Sequence, residues 1–163
     1  MIELITTKSK ICILGEGGVG KTSLISLLQG REMSDERSPT VGLEIENANI
    51  LGLKTSLWDF GGQERFKFMW EDFLKGAGLT ILVTDSTEEN VRKTKELFEK
   101  FSRSISAKVI AIANKQDLPG SLSAQSVQKH LGGIKTYGMS AIKTELRERM
   151  RNILEYEIQS EEE

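Results

Sequence analysis

Short apolar runs alternate with longer amphipathic segments along the chain, and this alternation is typical of βαβ units. Several of the runs are almost continuously apolar, as strands are when both faces of a sheet are covered. The runs predicted to form strands are residues 10–14, 43–50, 53–58, 79–84 and 108–113, and one ending at Met139. We therefore predict an α/β fold, a single domain whose mainly parallel six-stranded sheet has helices on both faces.

The segments between these runs predict the helices and the turns. Residues 43–50 and 53–58 meet at Leu51-Gly52, which predicts a hairpin and one antiparallel edge strand. A polar stretch, 34–40, predicts a loop. Helices are predicted at 21–28, ended by Gly30, at 88–103 with Val91, Phe98 and Phe101 on one face, and at the end of the chain, where a stripe comprises Ile142, Leu146, Met150, Ile153 and Leu154.

Length and charge limit the classes of protein to consider. The 163 residues suit one domain, 1–163, with an acidic tail, about 159–163, that we expect to be disordered. A hydrophobic fraction of 38% and a charged fraction of 28% are ordinary for a globular protein. The net charge of −2, from 22 basic and 24 acidic side chains, argues against a general nucleic-acid binder.

The sequence also predicts the cellular compartment of the protein and the way in which it contacts membranes. Cys12, the one cysteine, lies in an apolar run and is expected to be a buried, unreactive thiol in a reducing compartment, the cytoplasm. No apolar stretch is long enough to span a bilayer. Residue 2 is Ile2 rather than glycine, and the chain ends in Glu163, so we expect no lipidation and only partner-mediated membrane contact.

A glycine-rich stretch follows the first predicted strand and opens a helix. Residues 15–22, which we call the phosphate loop, match the pattern of a glycine, four residues, then Gly-Lys-Thr. In this pattern the N–H groups of a curled backbone and the N-terminus of a helix hold phosphates. Lys21 would reach the β- and γ-phosphates, and the Thr22 hydroxyl would bind Mg²⁺. The alternative is a glycine-rich turn without a ligand. This pattern alone does not separate ATP from GTP, or a kinase from a switch.

Asn114-Lys115-Gln116-Asp117 follows a later predicted strand and supplies the means to select a base. The Asp117 carboxylate can accept two hydrogen bonds from guanine, whereas adenine would leave it unpaired. The Lys115 stem would pack over the base, and Asn114 would tie this loop to the phosphate loop. Ser140 and Ala141 could offer a backbone N–H to guanine; the alternative for Ser140 is the N-cap of the terminal helix.

Taken together, the ordered motifs resemble those of the Ras superfamily of small GTPases, and this resemblance implies that the α/β fold is a single P-loop G domain. Among its branches, 39–42, 58–63 and 114–119 are most similar to Arf and Arf-like proteins, and Trp70 and Phe73 also fit that branch. Gly17-Gly18 is instead similar to the Ras or Rab phosphate loop. Trp70 either serves a partner from an exposed position or packs into the region after Gln63.

The resemblance implies a role for each matching residue. Asp59 would hold Mg²⁺ through a water, Thr40 would contact both Mg²⁺ and the γ-phosphate, the Gly62 N–H would face that phosphate, and Gln63 would orient the attacking water. Loss of the phosphate would relax both loops. The residues expected to bind the nucleotide are Gly15, Glu16, Gly17, Gly18, Val19, Gly20, Lys21, Thr22, Ser23, Thr40, Gly62, Asn114, Lys115, Asp117, Ser140 and Ala141.

Arg37 lies three positions before Thr40, the spacing at which heterotrimeric G-protein α subunits carry a catalytic arginine. It either stabilises transition-state charge in cis or is a solvated loop arginine. His130 is interpreted as the end of a helix without a catalytic role.

The leading hypothesis of function is a switch that binds GTP and GDP with Mg²⁺, hydrolyses GTP slowly and recruits proteins. Effectors, an exchange factor and an activating protein are implied by the resemblance. A second hypothesis is a nucleotide-stabilised interaction module with negligible hydrolysis. A third, a small-molecule kinase, is disfavoured because the chain has no obvious lid or arginine cluster.

Overall fold

The computed structural model describes residues 9–30, 42–61, 64–105 and 108–159, with strands and helices alternating along the chain. The strands are β1 Ser9–Leu14, β2 Leu43–Ile50, β3 Leu53–Phe60, β4 Leu79–Thr84, β5 Val109–Ala113 and β6 Thr136–Gly138. The helices are α1 Lys21–Gln29, α2 Trp70–Phe73, α3 Glu88–Phe101, α4 Ala124–His130 and α5 Arg147–Gln159, and two 3₁₀ segments are Glu64–Met69 and Thr144–Leu146.

The described strands form one sheet in the order β2-β3-β1-β4-β5-β6. All neighbours run parallel except β2 and β3, which pair antiparallel from Leu43 opposite Phe60 to Ile50 opposite Leu53. The α/β class, the mainly parallel sheet and its antiparallel edge are therefore confirmed. The carboxyl ends of β1, β3, β4 and β5 meet at one edge of the sheet, where ligand sites form in folds of this kind.

Helices cover both faces of the sheet and divide the core in two. One apolar cluster joins the strands to α1 and α5, including Leu24, Met150 and Leu154. The other joins them to α2, α3 and α4, including Trp70 and Val127. Since β4 is buried at every residue, its continuous apolar run is explained by the two covered faces.

The Leu51-Gly52 turn has the backbone conformation that a two-residue hairpin requires. Leu51 has φ 57° and Gly52 has φ 76°, the pair of positive values that defines a type I′ turn. Glycine adopts this conformation readily, whereas Leu51 takes it at some cost. The predicted hairpin is confirmed, and β3 continues two residues beyond the predicted end, so that Asp59 lies within the strand.

Several predictions about helices were confirmed and two need correction. Gly30 is the C-cap of α1, and His130 is the last residue of α4. The predicted helix 88–103 ends earlier, at Phe101. The terminal stripe was wrong at Ile142, which precedes α5 and is 61% exposed, because an apolar residue at helical spacing continued the pattern by chance into a loop.

Trp70 and Cys12 are both fully buried. Of the two alternatives for Trp70, packing is the one observed: its ring contacts Phe60 and Phe101 at centroid distances of 5.5 and 5.2 Å. Burial raises the pKa of the Cys12 thiol to about 12, which agrees with the expected unreactive thiol. Over the part of the chain described, no helix combines the length and hydropathy that crossing a bilayer requires. Of the predicted tail, Gln159 ends α5, and 160–163 lie outside the described residues.

Candidate functional site

The loop between β1 and α1 surrounds a buried lysine. Lys21, the first residue of α1, is 6% exposed, and its Nζ donates to the carbonyl oxygens of Gly15 and Glu16, both at 3.0 Å. Burial lowers the pKa of Lys21, while the nearby Asp59 and Glu16 carboxylates oppose that shift. A buried ammonium at a helix N-terminus favours an anion beside it.

Gly20 is the point at which this loop meets the loop after β5. Its φ is +106°, and a Cβ added there would lie 2.2 Å from Nδ2 of Asn114. No residue other than glycine fits this position without displacing the asparagine. The close approach lets Asn114 Nδ2 donate to the Val19 carbonyl at 2.8 Å.

Asn114 joins three loops because both ends of its amide are used. Its Oδ1 accepts from the Ala141 N–H at 2.9 Å, while its Nδ2 holds Val19. The side chain is buried, and the backbone carbonyl of Asn114 accepts from the Ser86 hydroxyl at 2.7 Å. The expected tie between this loop and the phosphate loop is therefore present. With the amide turned over, Oδ1 would face the Val19 carbonyl and Nδ2 would face the Ala141 N–H, so both hydrogen bonds would be lost.

The residues next to Asn114 are also held in position. Lys115 has φ +64°, an uncommon conformation outside glycine, and its Nζ donates to the Gly18 carbonyl at 2.7 Å. The Asp117 backbone N–H donates to the Ser140 hydroxyl at 3.1 Å. Ser140 is therefore a support for Asp117; it is not the N-cap of α5, which begins seven residues later at Arg147.

A cavity of about 250 Å³ opens between these loops. Its walls come from α1, from the loop after β5 and from the loop after β6. Leu118 and Ile142, 51% and 61% exposed, supply apolar edges, and Asp117 supplies a carboxylate. The lining residues are Gly20, Ser23, Asn114, Lys115, Asp117, Leu118, Ala141 and Ile142. An apolar slot with one carboxylate suits a flat heterocycle that offers hydrogen-bond donors.

Two oxygens, one from Thr22 and one from Asp59, meet near Lys21. The Thr22 hydroxyl donates to Asp59 Oδ2 at 2.5 Å, and Asp59 is 1% exposed. Hydroxyl and carboxylate oxygens are the ligands that Mg²⁺ accepts alongside phosphate and water. Within the described ranges, no cluster of three histidine, cysteine or acidic side chains could hold a metal by itself. These two side chains thus fit a cation whose other ligands come from a phosphate.

The sequence did not identify all the residues that shape the site. Ser86 is fully buried with φ 70°, and its hydroxyl accepts from Gln116 Nε2 at 2.9 Å while donating to Asn114. Leu118 and Ile142 were likewise not assigned to it. The signal available in the sequence for Ile142 was its position directly after Ser140 and Ala141, which were themselves assigned to the site. Four predicted residues, Arg37, Thr40, Gly62 and Gln63, lie outside the described residues.

Fold and site together define the class of Ras-like G domains, in which loops at the carboxyl edge of the sheet hold a nucleotide. The chain matches the model of the ADP-ribosylation factor family over residues 1–157. It belongs to that family and is an Arf-like small GTPase of the Ras superfamily.

Curated relatives agree with this assignment. ADP-ribosylation factor-like protein 1 of Saccharomyces cerevisiae is 36% identical over 126 residues, which are 75% of this chain and 68% of the relative. ADP-ribosylation factor-like protein 2 of Drosophila melanogaster is 30% identical over 144 residues, 82% and 78% of the two chains. ADP-ribosylation factor-like protein 8d of Arabidopsis thaliana is 30% identical over 127 residues, 76% and 72%.

Proposed function

We propose that this chain binds GTP and GDP with Mg²⁺, hydrolyses GTP slowly to GDP and phosphate, and thereby controls the binding of other proteins. The observation that carries the proposal is Asn114, whose amide joins the phosphate loop at Val19 to the loop at Ala141 beside the cavity that contains Asp117. A nucleotide would span both loops, with its phosphate chain at one end and its base at the other.

The phosphates would lie over the glycine backbone, next to Lys21. Burial disfavours the Lys21 ammonium, so an anion beside it removes a cost that the protein bears without ligand. The Lys21 Nζ lies on the carbonyls of Gly15 and Glu16, at the start of α1. Ligand charge and the helix N-terminus therefore attract each other at the same place.

The base would occupy the 250 Å³ cavity, with Lys115 and Ile142 near its faces. The Asp117 carboxylate would accept from the ring N–H and the exocyclic amine of guanine. The Ala141 N–H donates to Asn114 Oδ1 at 2.9 Å, which holds this backbone beside the cavity; a contact with guanine would share that N–H between two acceptors. Adenine would leave a carboxylate without donors, which costs about 1–3 kcal/mol or more for a charged group.

Thr22 and Asp59, with Thr40 from outside the described residues, would hold Mg²⁺. The cation would neutralise charge on the β- and γ-phosphate oxygens. Thr40 and Gly62 would sense the γ-phosphate through backbone N–H groups. The Gly61 N–H donates to the Gly42 carbonyl at 2.8 Å, so the two segments leading to these residues are joined. Release of the phosphate would loosen both.

Gln63 would orient the attacking water. With no activating protein, we expect a rate on the order of 10⁻⁴ to 10⁻² s⁻¹, the upper end requiring an arginine in cis. Arg37 is the candidate for that arginine. Single-turnover hydrolysis by Arg37→Ala tests it: a slower rate supports the role, and an unchanged rate removes Arg37 from the mechanism.

The alternative is an interaction module that binds nucleotide but hardly hydrolyses it. Phosphate release by Gln63→Leu, measured beside the parent chain and with GTP saturating both, separates the two functions. A marked loss in the variant supports a hydrolytic switch. Equal, near-zero rates would favour the module, because a scaffold does not need a residue that orients water.

Partners and location follow from the family and belong to the same proposal. We expect effectors, an exchange factor and an activating protein to contact the loops that contain Thr40 and Gln63. We expect the protein to work in the cytoplasm and to reach membranes through those partners. Pull-down with the GTP-loaded and GDP-loaded chain tests this: partners of a switch depend on the nucleotide, and indifference to it contradicts the proposal.

A further inference from the structure

An ion pair that the sequence did not predict joins the phosphate loop to the segment that follows Gly61. Lys67, in the 3₁₀ segment Glu64–Met69, places its Nζ 3.0 Å from Glu16 Oε2. The side chains keep 9% and 25% of their exposure, respectively. Because one side chain is largely buried and the other partly so, their attraction is screened less than that of a fully exposed salt bridge.

Glu16 is held at two atoms by two lysines. Its carbonyl oxygen accepts from Lys21 Nζ at 3.0 Å, and its carboxylate accepts from Lys67 Nζ at 3.0 Å. Removing either lysine would therefore affect the other through a single residue of the phosphate loop. The opposite influences of Glu16 and Lys67 on the pKa of Lys21, the first raising it and the second lowering it, agree with this proximity.

We propose that Lys67 is a positioning residue that neutralises the Glu16 carboxylate and thereby sets how strongly the phosphate loop prefers a nucleoside triphosphate to a diphosphate. This inference rests on the nucleotide-binding function proposed above. Without Lys67, an uncompensated carboxylate would stand in the loop that holds the phosphates. Its repulsion grows with the charge of the ligand, and a triphosphate carries one more negative charge than a diphosphate.

The same lysine is linked to the core below the segment. Its Nζ lies 5.7 Å from the centroid of the buried Trp70 ring, three residues further along the chain. The emission of Trp70 therefore reports whether the segment keeps its packing when the ion pair is changed. A Trp58→Phe background leaves Trp70 as the one tryptophan of the chain.

The test measures the affinity of the full chain for GDP and for a non-hydrolysable GTP analogue, both with Mg²⁺. We expect Lys67→Gln to lower the ratio of triphosphate to diphosphate affinity by roughly threefold to tenfold. Glu16→Gln should raise that ratio, because it removes a negative charge from the phosphate loop. The double variant should return to within about twofold of the parent. These opposite signs are not expected from a merely structural pair.

A matched control is available in the same groove. Lys100 lines the cavity of about 290 Å³ that Glu16 and Lys67 also line, and it is exposed on α3. Lys100→Gln makes the same change of charge and should leave the ratio unchanged. Unaltered Trp70 emission in the Trp58→Phe background shows that a variant keeps its packing. If Lys67→Gln fails to fold, the rise expected for Glu16→Gln still decides.

Three results would overturn the inference alone. They are an unchanged ratio in both single variants, a shift in the same direction in both, or an equal loss of both nucleotides in Lys67→Gln, which would assign Lys67 a structural role. If the parent chain binds neither guanine nucleotide, the proposed function fails and takes this inference with it. Parent binding is therefore measured first.

Discussion

Replacement of Gly20 by alanine tests the junction between the phosphate loop and the loop after β5. The new Cβ would lie 2.2 Å from Asn114 Nδ2, at a backbone φ of +106°. Asn114 is 2% exposed and bonded at both ends of its amide, so it can make room only by giving up its contacts with Val19 and Ala141. The clash therefore becomes a loss of hydrogen bonds.

The magnitude follows from two separate costs. A non-glycine residue in the left-handed region costs about 1–2 kcal/mol. Disrupting the buried amide contacts costs about 1–3 kcal/mol more. We expect Gly20→Ala to lower the free energy of unfolding by about 2–5 kcal/mol. This is a large fraction of the total for a domain of this size.

Two neighbouring glycines separate the costs. Gly18 has φ +83° but open space around its Cβ position, so Gly18→Ala should cost only the left-handed conformation, about 1–2 kcal/mol. Gly17 has neither a positive φ nor a neighbour within 4 Å, and Gly17→Ala should change stability by about 0.5 kcal/mol or less. Urea unfolding of the three variants without nucleotide provides the numbers. If Gly20→Ala is no worse than Gly18→Ala, the junction with Asn114 does not have the tightness described.

Three further predictions concern the base and the core. Asp117→Asn presents a donor where the carboxylate accepts, so the affinity for GTP should fall at least about tenfold. Xanthosine triphosphate, which has a carbonyl at that edge, should bind the variant better than the parent. An unchanged preference for GTP would contradict the role of Asp117. Ile142→Ala should weaken GDP binding roughly fivefold. The control is Ile45→Ala, which changes an isoleucine that is 49% exposed on β2 and should leave GDP binding unchanged. Equal effects of the two substitutions would remove Ile142 from the site. Burial raises the pKa of Cys12 to about 12 from 9.0, so above pH 9 the unfolded chain releases a proton that the folded chain keeps. The free energy of unfolding should therefore fall by about 1 kcal/mol between pH 8 and 10 relative to Cys12→Ala. Urea-unfolding profiles that stay parallel for the two proteins would refute this.

The sequence predicted the sheet and both binding loops because their signals are local. The first loop is a glycine-rich turn between an apolar run and a helix, and the second is a polar turn after a buried strand. In each case the motif and the elements that flank it lie within about ten residues of sequence. Leu79–Thr84 was predicted with its observed bounds, since Gly78 and Asp85 mark the ends of a segment that is buried on both faces of the sheet. The ligand roles of these loops stay predictions.

What the sequence could not predict depends on contacts between distant segments. Glu16 and Lys67 are 51 residues apart, and neither position has a pattern that points to the other. Ser86 supports Asn114 from the loop after β4 through a hydroxyl bond that no spacing rule describes. Ile142 was wrongly added to the terminal helix because the spacing of apolar residues does not determine where a helix begins. Each of these needed the sheet order before it could be found.

The central claim is that the phosphate loop and Asp117 together hold a guanine nucleotide. Its most direct test is to denature the purified chain and identify the nucleotide that it releases, then to titrate the nucleotide-free chain with GDP, GTP and ATP in the presence of Mg²⁺. The account predicts release of GDP or GTP and binding of both guanine nucleotides far more tightly than ATP. Preference for ATP, or binding of none of the three, would contradict it.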